Sequence, residues 1–202
     1  MAIILDGKKL RDKILDNLKD KVASFKIKPK LVVILVGEDS ASKIYVENKR
    51  KFAQKTGIIS EVVNYSSDVK ESVLIDKIKE LNSDKSVHAI LVQLPLPSHI
   101  SKDKVINAIT PEKDVDGFTP YNTSKLYSCD IPYVYPCTPK GILLLLDEYG
   151  IDIEGKHVVV IGRSQIVGRP LSQMLLNRNA TVTVCHSHTK NLAQITKTAD
   201  IV

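Results

Sequence analysis

Apolar residues follow two periodicities along this chain. Leu10, Ile14, Leu18 and Val22 recur every four positions, as on one face of an amphipathic helix. Residues 31–36 form a continuous apolar run rich in β-branched side chains and ended by Gly37, which is typical of a strand buried on both faces. A helix followed by a buried strand is therefore predicted at the start of the chain.

The same alternation continues as far as residue 109. It predicts helices over residues 40–56, 69–81 and 101–109, and strands over residues 58–65 and 87–93. Gly57 is expected just beyond the end of the first of these helices, where glycine often takes the left-handed conformation. Strands that alternate with helices predict an α/β fold built on a parallel sheet.

The periodicity stops between residues 110 and 139, a stretch rich in proline. A long irregular segment inside a compact chain is usually functional or a linker. We expect the next helix to have Thr138 as its N-cap and Pro139 in its first turn, and to end at Gly150. A domain boundary is placed near Gly141, which gives an N-terminal domain of residues 1–141 and a second domain of residues 142–202.

The second domain is predicted to be Rossmann-like. Strands are expected over residues 158–161 and 181–185, helices over residues 170–177 and 192–198, and the opening of a third strand over residues 199–202. A dinucleotide-binding fold has more parallel strands than these. We therefore expect the chain to be part of a longer protein, or an incompletely recorded one, with its nucleotide-binding domain truncated on the C-terminal side.

Composition and charge exclude several classes. With 43% hydrophobic and 26% charged residues among 202, the chain has ordinary globular composition. The net charge of +6 comes from basic residues mixed with acids along helical faces, which indicates solvated faces rather than a nucleic-acid surface. No apolar run is long enough for a membrane span, and residues 1–6 do not resemble a secretory signal. The 3 cysteines include no Cys-x-x-Cys pair, which favours a reducing cytoplasm over a disulfide framework or a structural zinc site.

A glycine-bounded turn follows the strand at residues 158–161. Gly162 and Gly168 flank it, and Ser164 stands where a dinucleotide-binding fingerprint has its middle glycine. Glycine lets the backbone approach a pyrophosphate, and the following helix offers free N–H groups at its N-terminus. The alternative is a tight strand–helix turn that binds nothing.

The segment after the next strand distinguishes between cofactors. NAD sites usually carry an acid there, whereas this chain has Cys185, His186, Ser187, His188 and Thr189. Arg163 and Lys190 add positive charge, and Ser187 and Thr189 add hydrogen-bond donors, so a 2′-phosphate and hence NADP is favoured. No carboxylate or cysteine completes a metal site with the two histidines, so no metal is expected.

Two further groups of polar residues could carry chemistry. Ser42, Tyr45 and Lys49 form one helical stripe, in which a Tyr hydroxyl lies one turn from a Lys amine. A surface lysine beside a half-buried tyrosine is the alternative reading of that spacing. Gln93 ends a buried strand, and ligands of open parallel sheets bind at the carboxyl ends of strands.

The irregular segment also contains acids. Asp114 and Asp116 could be turn or cap residues, or one of these carboxylates could accept two N–H donors from a guanidine-like ring. Nothing in the local pattern decides between these readings.

Together these segments resemble the bifunctional methylenetetrahydrofolate dehydrogenase/methenyltetrahydrofolate cyclohydrolase family. The resemblance covers essentially the whole chain and rests on ordered motifs: Ser42-x-x-Tyr45-x-x-x-Lys49, Gln93-Leu94-Pro95-Leu96-Pro97, Lys113-Asp114-Val115-Asp116-Gly117, Pro136-Cys137-Thr138-Pro139-Lys140-Gly141, Gly162-Arg163-Ser164-x-Ile166-Val167-Gly168-x-Pro170 and Cys185-His186-Ser187. It implies NADP-dependent oxidation of 5,10-methylenetetrahydrofolate and hydrolysis of the product to 10-formyltetrahydrofolate, at one cleft between two domains. It also implies a role in one-carbon metabolism and purine biosynthesis.

The resemblance implies a role for each matching residue. Lys49 would be the main catalytic residue of hydrolysis, hydrogen-bonded by Gln93. Tyr45 would stack on or orient the folate, Ser42 would support the same face, and Asp116 would hold the pterin ring. The dinucleotide would be bound by Gly162, Arg163, Ser164, Gly168 and Ser187, with Arg163 and Ser187 at the 2′-phosphate. A cytoplasmic homodimer is expected, with tetrahydrofolate derivatives as its ligands and neither nucleic acid nor membrane as a partner.

Other functions remain open on the sequence. One is a different two-domain NADP dehydrogenase of the shikimate type, which would use Lys49 as an acid or base on a cyclic hydroxy acid. Another is a truncated, non-catalytic protein that binds folate or nucleotide. A basic nucleic-acid binder is a third, and it would show steeply salt-dependent affinity.

Overall fold

The structure is a computed structural model that describes residues 2–202. In chain order the elements are α1 (Gly7–Ala23), β1 (Lys30–Val36), α2 (Ser40–Thr56), β2 (Ile59–Tyr65), α3 (Glu71–Ser83), β3 (Ala89–Val92), α4 (Lys102–Asn107), α5 (Pro120–Tyr127), α6 (Cys137–Glu148), β4 (His157–Ile161), α7 (Gly168–Leu176), β5 (Thr181–Cys185) and α8 (Leu192–Lys197). The predicted alternation of helices and strands is confirmed, and the fold class is α/β.

The chain divides into two compact units, one of residues 8–115 and one of residues 116–202 together with the N-terminal residues up to Gly7. This division lies between Val115 and Asp116. The domain boundary that the sequence places near Gly141 stays a prediction.

In the unit of residues 8–115, a three-stranded parallel sheet has the order β2-β1-β3. The central strand β1 is buried from Val32 to Val36, as its continuous apolar pattern predicts. One face of the sheet packs against α3 and α4, with Leu74, Ile78 and Val105 fully buried in the same cluster as Val32 and Ile34. Both faces are covered because a parallel sheet places its crossover helices there.

The second unit contains the parallel pair β4 and β5. Ile201 forms a parallel bridge to Val158 on the other side of β4, at the position where a third strand is expected. Its core joins α6 and α7 to the strands, through side chains such as Leu143, Leu175 and Val158.

Most boundaries follow local signals. The predicted helix over residues 40–56 coincides with α2, and Gly57 ends it in the left-handed conformation with φ 78°, donating its N–H to the carbonyls of Ala53 and Gln54. The strand predicted over residues 181–185 coincides with β5. These signals succeed because they depend on residues within one helical turn or one strand.

Two predictions about the segment between residues 110 and 139 are wrong. It is not irregular throughout, because α5 occupies Pro120–Tyr127, with the Thr119 side chain accepting from the Asn122 N–H as an N-cap. Thr138 is not the N-cap of α6, because that helix starts at Cys137 and its N-cap is Pro136, with φ −52° and ψ 127°. An N-cap requires only a non-helical backbone, which proline supplies without a side-chain hydrogen bond.

Within residues 2–202, none of the helices has the length and apolar character needed to cross a lipid bilayer.

Candidate active site and nucleotide-binding turn

The N-terminal turn of α2 fixes the start of the Ser42, Tyr45 and Lys49 stripe. The Asp39 carboxylate accepts a hydrogen bond from the Ser42 N–H at 2.8 Å, and this bond lowers the pKa of Asp39. Ser42 is buried against the core, whereas the residue Tyr45 is 62% exposed. The stripe therefore runs from the packed interior to an aromatic face that is open to a ligand.

Lys49 meets Gln93, a residue 44 positions away in the chain. Its Nζ lies 3.1 Å from Gln93 Oε1, and both side chains are half-buried. Gln93 directly follows β3, and its N–H donates to the Ile34 carbonyl at 2.9 Å, which extends the pairing with β1. The parallel sheet thus places Gln93 at the carboxyl end of β3, where the Lys49 amine of α2 reaches it.

The acidic segment is anchored by a lysine to which sequence reasoning assigned no role. Lys113 Nζ donates to the carbonyls of Leu81, Asn82 and Asp84 at 2.8, 2.8 and 2.7 Å, all at the end of α3. Cations at a helix C-terminus satisfy its last carbonyls and complement its dipole. No local pattern could have identified this contact, because its partners lie about 30 residues away.

Of the two candidate acids, Asp114 is 2% exposed and forms a bridge with Ile90, as an extension of the sheet. Asp116 is partly buried and opens the other compact unit. It is followed by Gly117, which has φ 69°, and a Cβ there would lie 2.7 Å from the Val134 carbonyl oxygen. Only glycine fits this position, so the backbone beside Asp116 is fixed.

The glycine-bounded turn follows β4, as predicted. Gly162 has φ 138°, and a Cβ built there would meet nothing within 4 Å, which leaves open space beside the backbone. At Gly168, a Cβ would lie 2.1 Å from the Gly162 carbonyl oxygen. The two positions carry glycine for different reasons. Gly162 leaves its backbone exposed, whereas Gly168 lets α7 pack against the end of β4.

Ser164 closes this turn from inside. Its Oγ accepts from the Val167 N–H at 3.1 Å and from the Gly168 N–H at 3.4 Å. Its carbonyl accepts from the Arg169 N–H at 3.0 Å. At the start of α7, where free N–H groups were expected, two N–H groups are therefore bonded to the side chain that stands in place of the middle glycine.

Arg163 and Ser187 lie at the matching ends of neighbouring strands. Ile161 pairs with Cys185 in the parallel register, and each of the two polar residues lies two positions beyond that pair. Arg163 and Lys190 are exposed, and neither cation forms an ion pair with any residue between 2 and 202. This end of β4 and β5 can therefore receive an anion.

Two other features of the described residues bear on ligands. Among residues 2–202, no group of three or more His, Cys, Asp and Glu side chains could hold a metal ion. An apolar cavity of about 480 Å³ lies beside β4 and α6, and Gly162, Ser164 and Gly168 form part of its lining.

Two family models match the chain. The tetrahydrofolate dehydrogenase/cyclohydrolase catalytic domain matches residues 5–116, and the NAD(P)-binding domain of the same family matches residues 136–202. A bifunctional protein FolD from Hydrogenobaculum is 54% identical over 200 residues, which is 98% of this chain and 72% of that protein. Another FolD protein, from Ligilactobacillus salivarius, is 55% identical over 205 residues, which is 100% of this chain and 72% of that protein.

Solved structures agree with these matches. The bifunctional FolD enzyme of Campylobacter jejuni superposes with a TM-score of 0.96 and 47% identity, covering 99% of this chain and 73% of that one. A methylenetetrahydrofolate dehydrogenase–cyclohydrolase of Trypanosoma brucei, complexed with NADP cofactor and an inhibitor, superposes with a TM-score of 0.94 and 37% identity, covering 100% of this chain and 71% of that one. On the strength of both domain matches and of relatives sharing more than half of its residues, the chain belongs to the tetrahydrofolate dehydrogenase/cyclohydrolase family.

Proposed function

We propose that this chain oxidises 5,10-methylenetetrahydrofolate with NADP and hydrolyses the resulting 5,10-methenyltetrahydrofolate to 10-formyltetrahydrofolate. The observation that carries the proposal is the hydrogen bond from Lys49 to Gln93 at 3.1 Å, within the match to the family's catalytic domain. The bifunctional names of the relatives support the two reactions, and the NAD(P)-binding match supports the cofactor class.

The residues at the ends of β4 and β5 fit NADP. Open space beside Gly162 admits a pyrophosphate next to the backbone, while the unpaired Arg163 and the Ser187 hydroxyl suit a 2′-phosphate. When bound, the nicotinamide supplies the acceptor for a hydride from the methylene carbon of the folate. The protein's part in this step is alignment, because the folate nitrogen lone pairs stabilise the cation that forms.

Lys49 performs the proton transfers of the hydrolytic step. Water adds to the methenyl carbon and gives up a proton to the amine, and the tetrahedral intermediate collapses when the bond from this carbon to N5 breaks and N5 gains a proton. One proton is released overall, since the cationic substrate becomes a neutral formamide. Gln93 Oε1 holds the amine in place.

Substrate binding is assigned to the same stripe and to the acidic segment. The exposed ring of Tyr45 stacks on the folate, and Ser42 supports the α2 backbone beneath it. Asp116 accepts hydrogen bonds from the N–H donors of the pterin. A carboxylate suits this role because it accepts two parallel N–H bonds.

We extend the proposal to assembly and location. Family membership supports a homodimer in the cytoplasm, with residues 1–141 as the folate-binding domain and residues 142–202 as part of the NADP-binding domain. Light scattering during gel filtration would then give twice the 22.4-kDa mass of the chain. A mass equal to the single chain would contradict the dimer and leave the catalytic proposal standing.

The catalytic proposal is tested by Lys49→Ala. Loss of a general acid–base group lowers turnover by roughly 10²- to 10⁴-fold, so hydrolysis of methenyltetrahydrofolate should nearly stop while folate binding stays largely intact. The matched control is Lys51→Ala, which removes an exposed lysine of the same helix that pairs with Glu47 at 3.8 Å. The rate is followed by absorbance and binding by calorimetry. A near-normal rate in Lys49→Ala would refute the role of Lys49, and folate binding without turnover by the unaltered chain would favour a non-catalytic binding protein.

A further inference from the structure

A closed turn follows β5, and three hydrogen bonds hold it. The Thr189 N–H donates to the His186 carbonyl at 2.8 Å, and the His186 N–H donates to Thr189 Oγ1 at 2.7 Å. The third bond uses a ring: the His188 N–H donates to Nδ1 of His186 at 3.2 Å. Each of the bonds joins residues no more than three positions apart, so the turn is a small unit with a defined shape.

The third bond requires one protonation state of His186. A backbone N–H can donate only to an unprotonated Nδ1, so the ring is neutral with its hydrogen on Nε2. Burial, followed by the charges of Arg163 and His188, lowers the pKa of His186 and so favours that neutral form. Arg163 and Lys190 are exposed cations of this region, and the neutral ring adds no further charge to them.

Ser187 lies in the middle of this turn with an exposed side chain. The bond from His188 N–H to the ring fixes the backbone on either side of Ser187, and so fixes the direction of its N–H and of its Cα–Cβ bond. Without the bond from His188 N–H to the His186 ring, the turn would keep only the two hydrogen bonds between His186 and Thr189, and the backbone at Ser187 would sample other orientations.

We propose that His186 is a positioning residue for recognition of the 2′-phosphate, acting through the turn that presents Ser187. The proposal rests on the NADP-dependent function proposed above, and it adds a residue that touches the turn rather than the phosphate. The ring acts as a hydrogen-bond acceptor, so another acceptor of similar reach can replace it. Asparagine is that replacement, because its side-chain oxygen bonds the N–H two residues on in an Asx turn.

The test compares 2′,5′-ADP with 5′-AMP, two nucleotides that differ in the 2′-phosphate. Their affinities for the full 202-residue chain are measured by calorimetry, in the unaltered protein and in His186→Leu, His186→Asn and His188→Asn. Loss of one net hydrogen bond corresponds to about a 5-fold loss of affinity. His186→Leu should therefore lower the affinity for 2′,5′-ADP by about that factor and change the affinity for 5′-AMP by less than about 2-fold. His186→Asn and the control His188→Asn should bind both nucleotides as the unaltered chain does.

Each outcome decides the matter. Unchanged 2′,5′-ADP affinity in His186→Leu would overturn this inference while leaving the proposed cofactor intact. Equal losses in His186→Leu and His186→Asn would also overturn it, because the acceptor would then not be the cause. Equal affinity of the unaltered chain for the two nucleotides would overturn the NADP proposal and this inference with it. If His186→Leu does not fold, His186→Ala, which also lacks the acceptor, takes its place with the same expected loss of 2′,5′-ADP affinity, and unchanged affinity in it would overturn the inference.

Discussion

At the scale of single residues, the amide of Gln93 has only one orientation that satisfies both of its contacts. Nε2 donates to the Leu94 carbonyl at 2.7 Å, and Oε1 accepts from Lys49 at 3.1 Å. An amide nitrogen cannot accept and an amide oxygen cannot donate, so the first bond directs the oxygen toward the lysine. Gln93 is therefore a support that fixes the position of the Lys49 amine.

We predict that Gln93→Leu lowers the rate of hydrolysis by roughly 2- to 10-fold, because it removes one net hydrogen bond from the Lys49 amine. The effect should appear mainly in kcat, since Gln93 positions Lys49 and is not assigned to hold the folate. The control is Gln54→Leu, which changes an exposed glutamine on α2. Steady-state kinetics measure both constants, and an unchanged kcat in Gln93→Leu would contradict the supporting role.

For Ser164, the residue type did not predict the contacts of the side chain. Sequence reasoning placed it among the cofactor-binding residues, at the position of a fingerprint glycine. In the structure its hydroxyl bonds the N–H groups of Val167 and Gly168. The side chain thus completes the turn, and its own contact with a cofactor stays a prediction.

At the scale of elements, two helical glycines have opposite surroundings. Gly168 begins α7 with the Gly162 carbonyl 2.1 Å from the position of its missing Cβ, whereas Gly141 lies inside α6 with nothing within 4 Å of that position. Helix propensity favours alanine at both sites. Packing opposes alanine only at position 168.

We predict that Gly168→Ala destabilises the protein by about 1–3 kcal/mol, because the added methyl group forces α7 away from the end of β4. The matched control Gly141→Ala should stabilise it by about 1 kcal/mol, since open space lets helix propensity act alone. Urea unfolding measures both changes. Equal effects of the two substitutions would show that the approach of α7 to Gly162 is not needed for stability.

Helix ends also depend on residues outside the helix. Lys28 Nζ donates to the Val22 and Ala23 carbonyls at 2.8 and 3.1 Å at the end of α1, as Lys113 does at the end of α3. Lys28 lies a few residues beyond the end of α1, whereas Lys113 follows β3 and lies about 30 residues beyond the end of α3 along the chain. Only the first contact is of a range that sequence inspection can anticipate.

At the scale of the whole molecule, charge networks make stability depend on pH. Hydrogen bonds from Ser42, Lys104 and Arg178 are the largest causes that lower the pKa values of Asp39, Glu71 and Asp147, respectively. For carboxylates with lowered pKa values, the stabilisation is present above their unfolded values of about 4 and is lost as pH falls through the folded values. The pKa of His186 is also lowered, so the unfolded chain binds its proton first, and stability begins to fall as pH drops through about 6.5.

We predict that the free energy of unfolding is highest near neutral pH and declines in two stages, the first below about 6.5 and the second below about 4. His186→Asn should reduce the first stage and leave the second, because asparagine does not titrate. Urea unfolding at intervals between pH 3 and pH 8 gives both profiles. Identical slopes for the two proteins between about pH 5 and 7 would contradict the assignment to His186.

The amino-acid sequence by itself determined the elements and the family. Apolar periodicity and glycine caps act within a few residues, so α2, Gly57 and β5 were predicted at their observed positions. The ordered motifs also predicted the family before any contact was known. The short helix α5 was missed because proline-rich segments carry turn signals that hide a helix of only 8 residues, although Thr119-Pro120 is itself a start signal.

Tertiary structure decided which of the predicted residues meet. The contact of Lys49 with Gln93 follows from the strand order β2-β1-β3, which brings the end of β3 beside the strand that precedes α2. The hydrogen bonds of Lys113 to the end of α3 likewise depend on geometry that residue spacing does not encode. The same is true of the bond from His188 N–H to the His186 ring. Spacing fixes neighbours along one element, whereas contacts between elements depend on how the sheet is ordered and on where each side chain is directed.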